Sequence, residues 1–282
     1  MKNKNPGRKL FFGLFIFPLL ITVGMAVLLC GVVLLTTEKE TPDSLISAIK
    51  SGSPSRRWQK AFELSNELNQ GRQKNVRDAS VLKEIIYILE NSKDYDEKTR
   101  GYMAMALAHF PETDSVAALR NALKENSDEI QIAALWSLGS LGTKDAAPDV
   151  EKFLKSDKPE LRKMSAYVLG VIGKKEDAPK LKPLLNDAST DVRWNTALAL
   201  ARLGDDAGYP VLEQMLDRSQ TQTLGMEEPQ IEAVMTNAIK GLALLQKAES
   251  IKILSSLSRD DKNMKVRQAA IDAMDYRKKI SV

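Results

Sequence analysis

The chain has 282 residues, 43% hydrophobic and 28% charged, with a single cysteine, Cys30, and a single histidine, His109. That composition excludes a disulfide scaffold, a cysteine-ligated metal and any centre built on several imidazoles, so no cofactor or metal is expected. Four of the 41 Lys and Arg residues (Lys2, Lys4, Arg8, Lys9) precede Thr36, leaving 37 bases against 37 acids beyond it; a body without net charge has no global attraction for phosphate backbones, and nucleic acid is not an expected partner.

Residues 1–9 form a basic tail, and residues 10–35 then run for 26 positions without a charge, among them eight Leu, four Phe, four Val and two Ile. As a helix this segment is about 39 Å long, more than the ~30 Å hydrocarbon core, so a transmembrane helix with the lipid bilayer as its partner is expected. The apolar run is too long for a cleaved secretory signal, and Leu29 before Cys30 does not suit a lipoprotein signal. An uncleaved signal anchor is the reading that remains. Four bases precede the segment and only Lys39 and Lys50 follow closely, which puts the N-terminus in the cytoplasm and the rest of the chain outside it, in a periplasm or its equivalent. The absence of any Asn-x-Ser/Thr sequon favours a bacterial source. Residues 36–42, polar and ending in Pro42, read as a short linker.

The remainder, 43–282, reads as one repeat domain. An amphipathic helix is expected at 43–50, a first long unit from two helices near 53–69 and 78–89, and then regular units. Between 100 and 216 one phrase returns every 31 residues. Its columns include Leu107, Leu138, Leu169, Leu200; Pro111, Gly142, Gly173, Gly204; and Leu119, Val150, Leu181, Leu212. A period of this length predicts a solenoid of antiparallel helix pairs, about six in all. Gly204 predicts a left-handed helix stop, and Pro210 a first-turn position in the following helix. A column of small residues, Ala108, Gly139, Gly170 and Ala201, predicts close packing of neighbouring units. The step fails once, at a polar insert 218–228, and the last helix near 265–279 has the charged outer side of a terminal cap.

Phrases such as Asp191-Val-Arg-Trp-Asn-Thr-Ala-Leu-Ala-Leu-Ala-Arg-Leu-Gly204, followed by Tyr209-Pro-Val-Leu-Glu-Gln-Met-Leu216, resemble the short HEAT-like repeats related to those of phycobilin lyases, across about 53–279. The resemblance implies an all-α right-handed superhelix whose second helices line a concave, partner-binding face. It implies nothing specific about activity, because such repeats serve scaffolds, adaptors and lyases alike.

Several residues are candidates for function. Trp58 and Trp194 share a column with Gly101, Ile132 and Lys163, a position that tolerates a charge, so both are candidate anchors for a partner protein. Arg120, Lys124, Lys155, Lys182 and Glu213 lie between the core positions of the second helices, and their mixed signs suit a protein surface better than a polyanion. The arginine column Arg57, Arg100, Arg162, Arg193 and Arg267 reads as a structural ladder bonded to acidic turns such as Asp205 and Asp206. Trp136, in an all-apolar column, is expected in the core. No nucleophile with an acid companion surrounds His109, and no phosphate loop is present, so the expected function is a non-enzymatic, membrane-anchored scaffold, within an envelope complex. The alternative is lyase-like or chaperone activity on a chromophore or modified protein. Protease added outside the cytoplasmic membrane is expected to degrade the repeats and spare an epitope placed at residue 1; protected repeats would reverse the orientation.

Overall fold

The computed structural model describes residues 12–36, 41–69, 78–245 and 247–280, and the chain divides into two compact units, Met1–Ser44 and Leu45–Val282. The expected basic tail 1–9 lies outside the described residues, as does 37–40 of the expected linker.

In the first unit a π-helical turn, Phe12–Ile16, leads into α1 (Phe17–Thr36). Pro18 has no N–H to contribute to a helical ladder, and the π-helical turn stands immediately before its helix. The stretch Gly13–Gly31, 19 residues, is long and apolar enough to cross a membrane, and none of it is buried within the chain. Its one hydroxyl, Thr22, turns back to donate to the carbonyls of Pro18 and Leu19 at 2.8 and 3.0 Å, leaving no free donor on an apolar surface.

The second unit is an α-solenoid, and among the described residues it contains no strand. After α2 (Pro42–Ser51) come the helix pairs α3 (Pro54–Asn69) and α4 (Ala79–Glu90), α5 (Glu97–Ala106) and α6 (Thr113–Ala122), α7 (Asp128–Leu141) and α8 (Ala147–Glu151), α9 (Pro159–Ile172) and α10 (Ala178–Leu181), and α11 (Thr190–Arg202) and α12 (Tyr209–Leu216). The short α13 (Arg218–Thr223) occupies the insert, and α14 (Glu228–Leu244), α15 (Ala248–Asp260) and α16 (Met264–Ile280) complete the array. First helices stack on first helices, forming one layer, with the second helices behind them. The leucine column of the first layer (Leu107, Leu138, Leu169, Leu200) is at most 1% exposed, and so is its counterpart Leu119, Val150, Leu181, Leu212. Each unit therefore buries its apolar side only against the next one. The core runs in two blocks that meet on α11, one unit before the insert.

Two local rules set the spacing. The first is the small-residue column: a Cβ on Gly139 would come within 3.1 Å of a Val168 methyl, and one on Gly170 within 2.6 Å of the Ala199 Cα. The second is how helices stop. Gly142 and Gly204 end α7 and α11 in the left-handed region, at φ 69° and 75°. Gly173, in the same column, is extended instead, and a Cβ there would sit 2.4 Å from the Leu169 carbonyl oxygen. The second helices are short because α8 and α10 tighten into 3-10 turns, Lys152–Lys155 and Lys182–Asn186; in the latter, Pro183 cannot donate to an α-helical ladder.

On α16 the small column is occupied by the exposed Asp275, paired with Lys278 at 2.9 Å, and Ile271 is 39% exposed where Ala104, Leu135, Ala166 and Ala197 are completely buried. A charged carboxylate cannot meet a neighbouring backbone as Gly170 does. Gly170→Val is expected to destabilise by about 1–3 kcal/mol, because the collision is with backbone. Gly139→Ala should cost less, since Val168 can shift. Thermal melts followed by circular dichroism would rank the two, and equal melting temperatures would contradict the packing argument.

Candidate interaction surface

The arginine column faces the loops that lead into the first helices. Gln131, Arg162, Arg193 and Arg267 each donate to the backbone carbonyl six residues earlier, Glu125, Ser156, Asp187 and Asp261, at 2.6–2.7 Å. Three of the arginines reach forward into the next loop. Arg100 binds the Glu125 carboxylate, and Arg162 grips Asp187 through two parallel bonds of 2.7 and 2.8 Å. Arg57 donates to the Asp94 carbonyl and stacks 5.2 Å above Tyr95. Asp205 and Asp206 are not their partners: they bind Lys182 at 2.8 Å and Lys247 at 2.7 Å, because they lie in the turn after α11, at the opposite end of the helix from the guanidinium.

The insert belongs to this ladder. The unit built on α14 carries Met235, 1% exposed, in the arginine column. The carboxylate that a column arginine would hold, Asp261, is bound at 2.7 Å by Arg218 from α13, which also takes Glu228 at 2.6 Å. The eleven additional residues thus supply a guanidinium the repeat lacks.

Two of the five second-helix candidates are engaged with the following unit. Arg120 binds Asp149 of the following unit at 2.7 Å, and Lys182 binds Asp205. Burial would raise the Asp149 carboxyl, but hydrogen bonds from Lys152 and Arg120 hold it below the ordinary range. Lys124 donates to Asn121 at 3.0 Å on its own helix. Lys155 is exposed and lines a cavity of about 550 Å³ with Glu151, Lys152 and Lys180, of which Glu151 and Lys180 form a 2.6 Å pair. Glu213 is exposed beside Tyr209, whose hydroxyl is pushed up to about 12 by burial and by that carboxylate.

The structure does not bring Trp58 and Trp194 together. They are four steps apart in the stack of first helices, roughly 32–40 Å at an interaxial spacing of 8–10 Å. Trp58 is half-buried and carries the Lys98 ammonium 3.5 Å above its ring, and Trp194 is half-buried against the second core block. Trp136 is not in the core. It and its column mates Phe62, Met105, Tyr167 and Leu198 are half-buried or exposed, because five residues beyond the arginine position a first helix turns its outer side to solvent. These residues form an apolar stripe across five units. Phe62 meets Tyr102 edge-on at 5.4 Å, and Arg202 lies 5.2 Å above Tyr167.

Two grooves open on this face. One, of about 580 Å³, lies across α5, α7 and α9 and is lined by Gly101, Tyr102, Met105, Glu129, Ile132, Ala133, Trp136 and Met164. The other, of about 570 Å³, lies chiefly between α14 and α16, with Arg202, Lys240, Lys265, Asp272 and Tyr276 around a floor of Ala243, Leu244, Ala269 and Ala273. Among the described residues no cluster of His, Cys, Asp and Glu has the arrangement of a metal site.

The HEAT-repeat family model matches residues 82–170 and 150–227, together just over half of the chain. The protein belongs to the HEAT-repeat family. No curated protein matches its sequence. Among solved structures, this HEAT-repeat chain resembles the complex of CpcE and CpcF of phycocyanin lyase from Nostoc sp. PCC7120, with 20% identity, 87% of this chain and 96% of that one covered, and a TM-score of 0.57. It also resembles the E. coli protein YibA, with 15% identity, coverage of 84% and 93%, and a TM-score of 0.51. At such identities the likeness is one of fold.

The HEAT array thus places two of its charged candidates, Arg120 and Lys182, in contacts between units and leaves an apolar surface on the first helices. The stripe has a signal in the sequence, one large apolar residue in every unit, but several columns share that property and only packing separates them. Arg162→Ala is expected to cost about 2–4 kcal/mol, because Asp187, its side chain only 7% exposed, loses its cation. The Arg162 guanidinium holds Asp187 below the usual carboxylate range. Its contribution is therefore complete above the unfolded value of about 3.9 and is lost as pH falls through the lower folded value. The difference in melting temperature between wild type and variant should shrink below about pH 4, and a constant difference would count against the pair.

Proposed function

We propose that this HEAT-repeat protein is a non-enzymatic scaffold that is tethered to a membrane and binds a partner protein through its first-helix face. The observation that carries the reading is the stripe Phe62, Tyr102, Met105, Trp136, Tyr167 and Leu198. It is a run of large apolar side chains left half-buried or exposed along one face, on a fold whose leucine columns are at most 1% exposed. Such surfaces are where interfaces form. In this reading residues 10–35 are an uncleaved single-pass anchor in a cytoplasmic membrane, with 1–9 on the cytoplasmic side, 36–42 as tether and 43–282 as the binding domain, within an envelope complex. A seven-residue tether spans at most about 25 Å, so a bound partner would be held close to the bilayer. Trp58 and Trp194 flank the stripe and would contact a long partner at its two ends, while Arg120, Lys124, Lys155, Lys182 and Glu213 form a secondary surface on the opposite layer.

A second reading, lyase-like or chaperone activity on a chromophore-bearing or modified protein, is favoured by the likeness of fold to the phycocyanin lyase complex and by the size of the first groove. It predicts that the purified chain changes the absorption spectrum of an added linear tetrapyrrole. The scaffold reading predicts no such change. Photo-crosslinking amino acids placed at 105 and 167 in cells should give one discrete protein adduct, absent when the crosslinker is moved to 144, an exposed position in the turn after α7. Recovery of the uncrosslinked chain alone from both stripe positions would sink the scaffold reading.

A further inference from the structure

The groove across α5, α7 and α9 has a polarity of its own. Seven of its eight lining residues are uncharged, and the eighth is the carboxylate of Glu129. Glu129 is exposed and takes part in no ion pair among the described residues, whereas Asp128, the residue before it, binds Lys158 at 3.4 Å. The aromatic rings show the same contrast. Two rings along this face already hold a cation of this chain, Trp58 beside the stripe under Lys98 and Tyr167 within it under Arg202. The two rings inside the groove, Tyr102 and Trp136, hold none among the described residues.

Gly101 is what hollows the groove. The same column places Trp58, Ile132, Lys163 and Trp194 in other units, so the repeat accepts a large side chain there. Neither usual reason for a glycine applies at this position: its φ is not positive, and an added Cβ would meet nothing closer than the Glu129 Cγ at 3.5 Å, an ordinary contact. A glycine in the middle of α5 weakens the helix relative to alanine without any packing return. Its visible effect is the open space.

We propose that this groove receives an arginine or lysine side chain of the partner protein, its aliphatic stem against Tyr102, Ile132 and Trp136 and its cationic head at the Glu129 carboxylate. This rests on the scaffold reading and adds the chemistry of the partner. A cation meets both an aromatic face and an opposite charge here. An acidic segment would bring a second carboxylate to Glu129 with no base in the lining to answer it. A wholly apolar segment would strip water from Glu129 and offer nothing in exchange.

The test uses the full chain in detergent and two synthetic 12-residue peptides with the same apolar residues, one carrying two arginines and the other two glutamates in their place. Isothermal calorimetry should show the arginine peptide binding at least tenfold more tightly. Glu129→Lys, an exposed substitution that leaves folding intact, should reverse the order, and Gly101→Trp should abolish binding at an unchanged or higher melting temperature. Equal binding of the two peptides, binding of neither, or full binding by Gly101→Trp would each overturn the proposal. In cells the two readings separate. A crosslinked partner that persists at wild-type yield in both Gly101→Trp and Glu129→Lys removes the groove and leaves the scaffold standing, and no adduct even in wild type removes the scaffold itself.

Discussion

Arg162 donates at once to the Ser156 carbonyl in the loop that leads into its own helix and to the Asp187 carboxylate in the loop that leads into the next. Through this double attachment one unit sets the position of its successor, and the leucine columns and small-residue contacts depend on the position so set. The clamp is not identical in every unit. Gln131 keeps only the backward bond to Glu125, and where the column arginine gives way to Met235, Arg218 reaches across from α13 to hold Asp261. At the last of these junctions the tie between loops is thus a guanidinium from outside the repeat position that usually carries it. An insertion that looks like a break in the pattern preserves it.

With the loops clamped and the leucines buried, the two layers acquire different characters. Among the second helices, charges of neighbouring units meet, as in Arg120 with Asp149 and Lys180 with Glu151, and such exposed pairs add little stability while keeping the surface solvated. Among the first helices, Gly139 and Gly170 let neighbouring helices approach closely, and one column of bulky apolar residues, that of Trp136 and Tyr167, stands outward. The stripe from Phe62 to Leu198 follows that column. Beside it, Gly101 leaves a space of side-chain size next to Glu129, a carboxylate with no ion pair among the described residues.

Much of the fold was legible in the residues. The 31-residue step, the leucine columns and the glycine stop at Gly204 specify antiparallel helix pairs, because period and burial are both local properties of a helix. The site was less legible. Trp136 sits in an apolar column and reads as core, yet it faces solvent, since hydrophobicity marks several faces of a helix that is packed on most sides. Asp205 and Asp206 are the acids nearest in phrase to the arginines, but they lie at the wrong end of α11. Arg120 and Glu151 look free in the sequence, and it is Asp149 and Lys180 of the following unit, 29 positions on, that occupy them.

By itself the sequence determined that the chain is an all-α repeat array preceded by a segment apolar enough to span a membrane, since both conclusions need only periodicity and composition. Only the tertiary structure decided which apolar column is exposed, which charges are already answered, that Arg218 replaces a missing rung and that Gly101 opens a groove beside Glu129. Each of those facts depends on where a side chain from the neighbouring unit comes to rest, and a distance between units is not written in either unit alone.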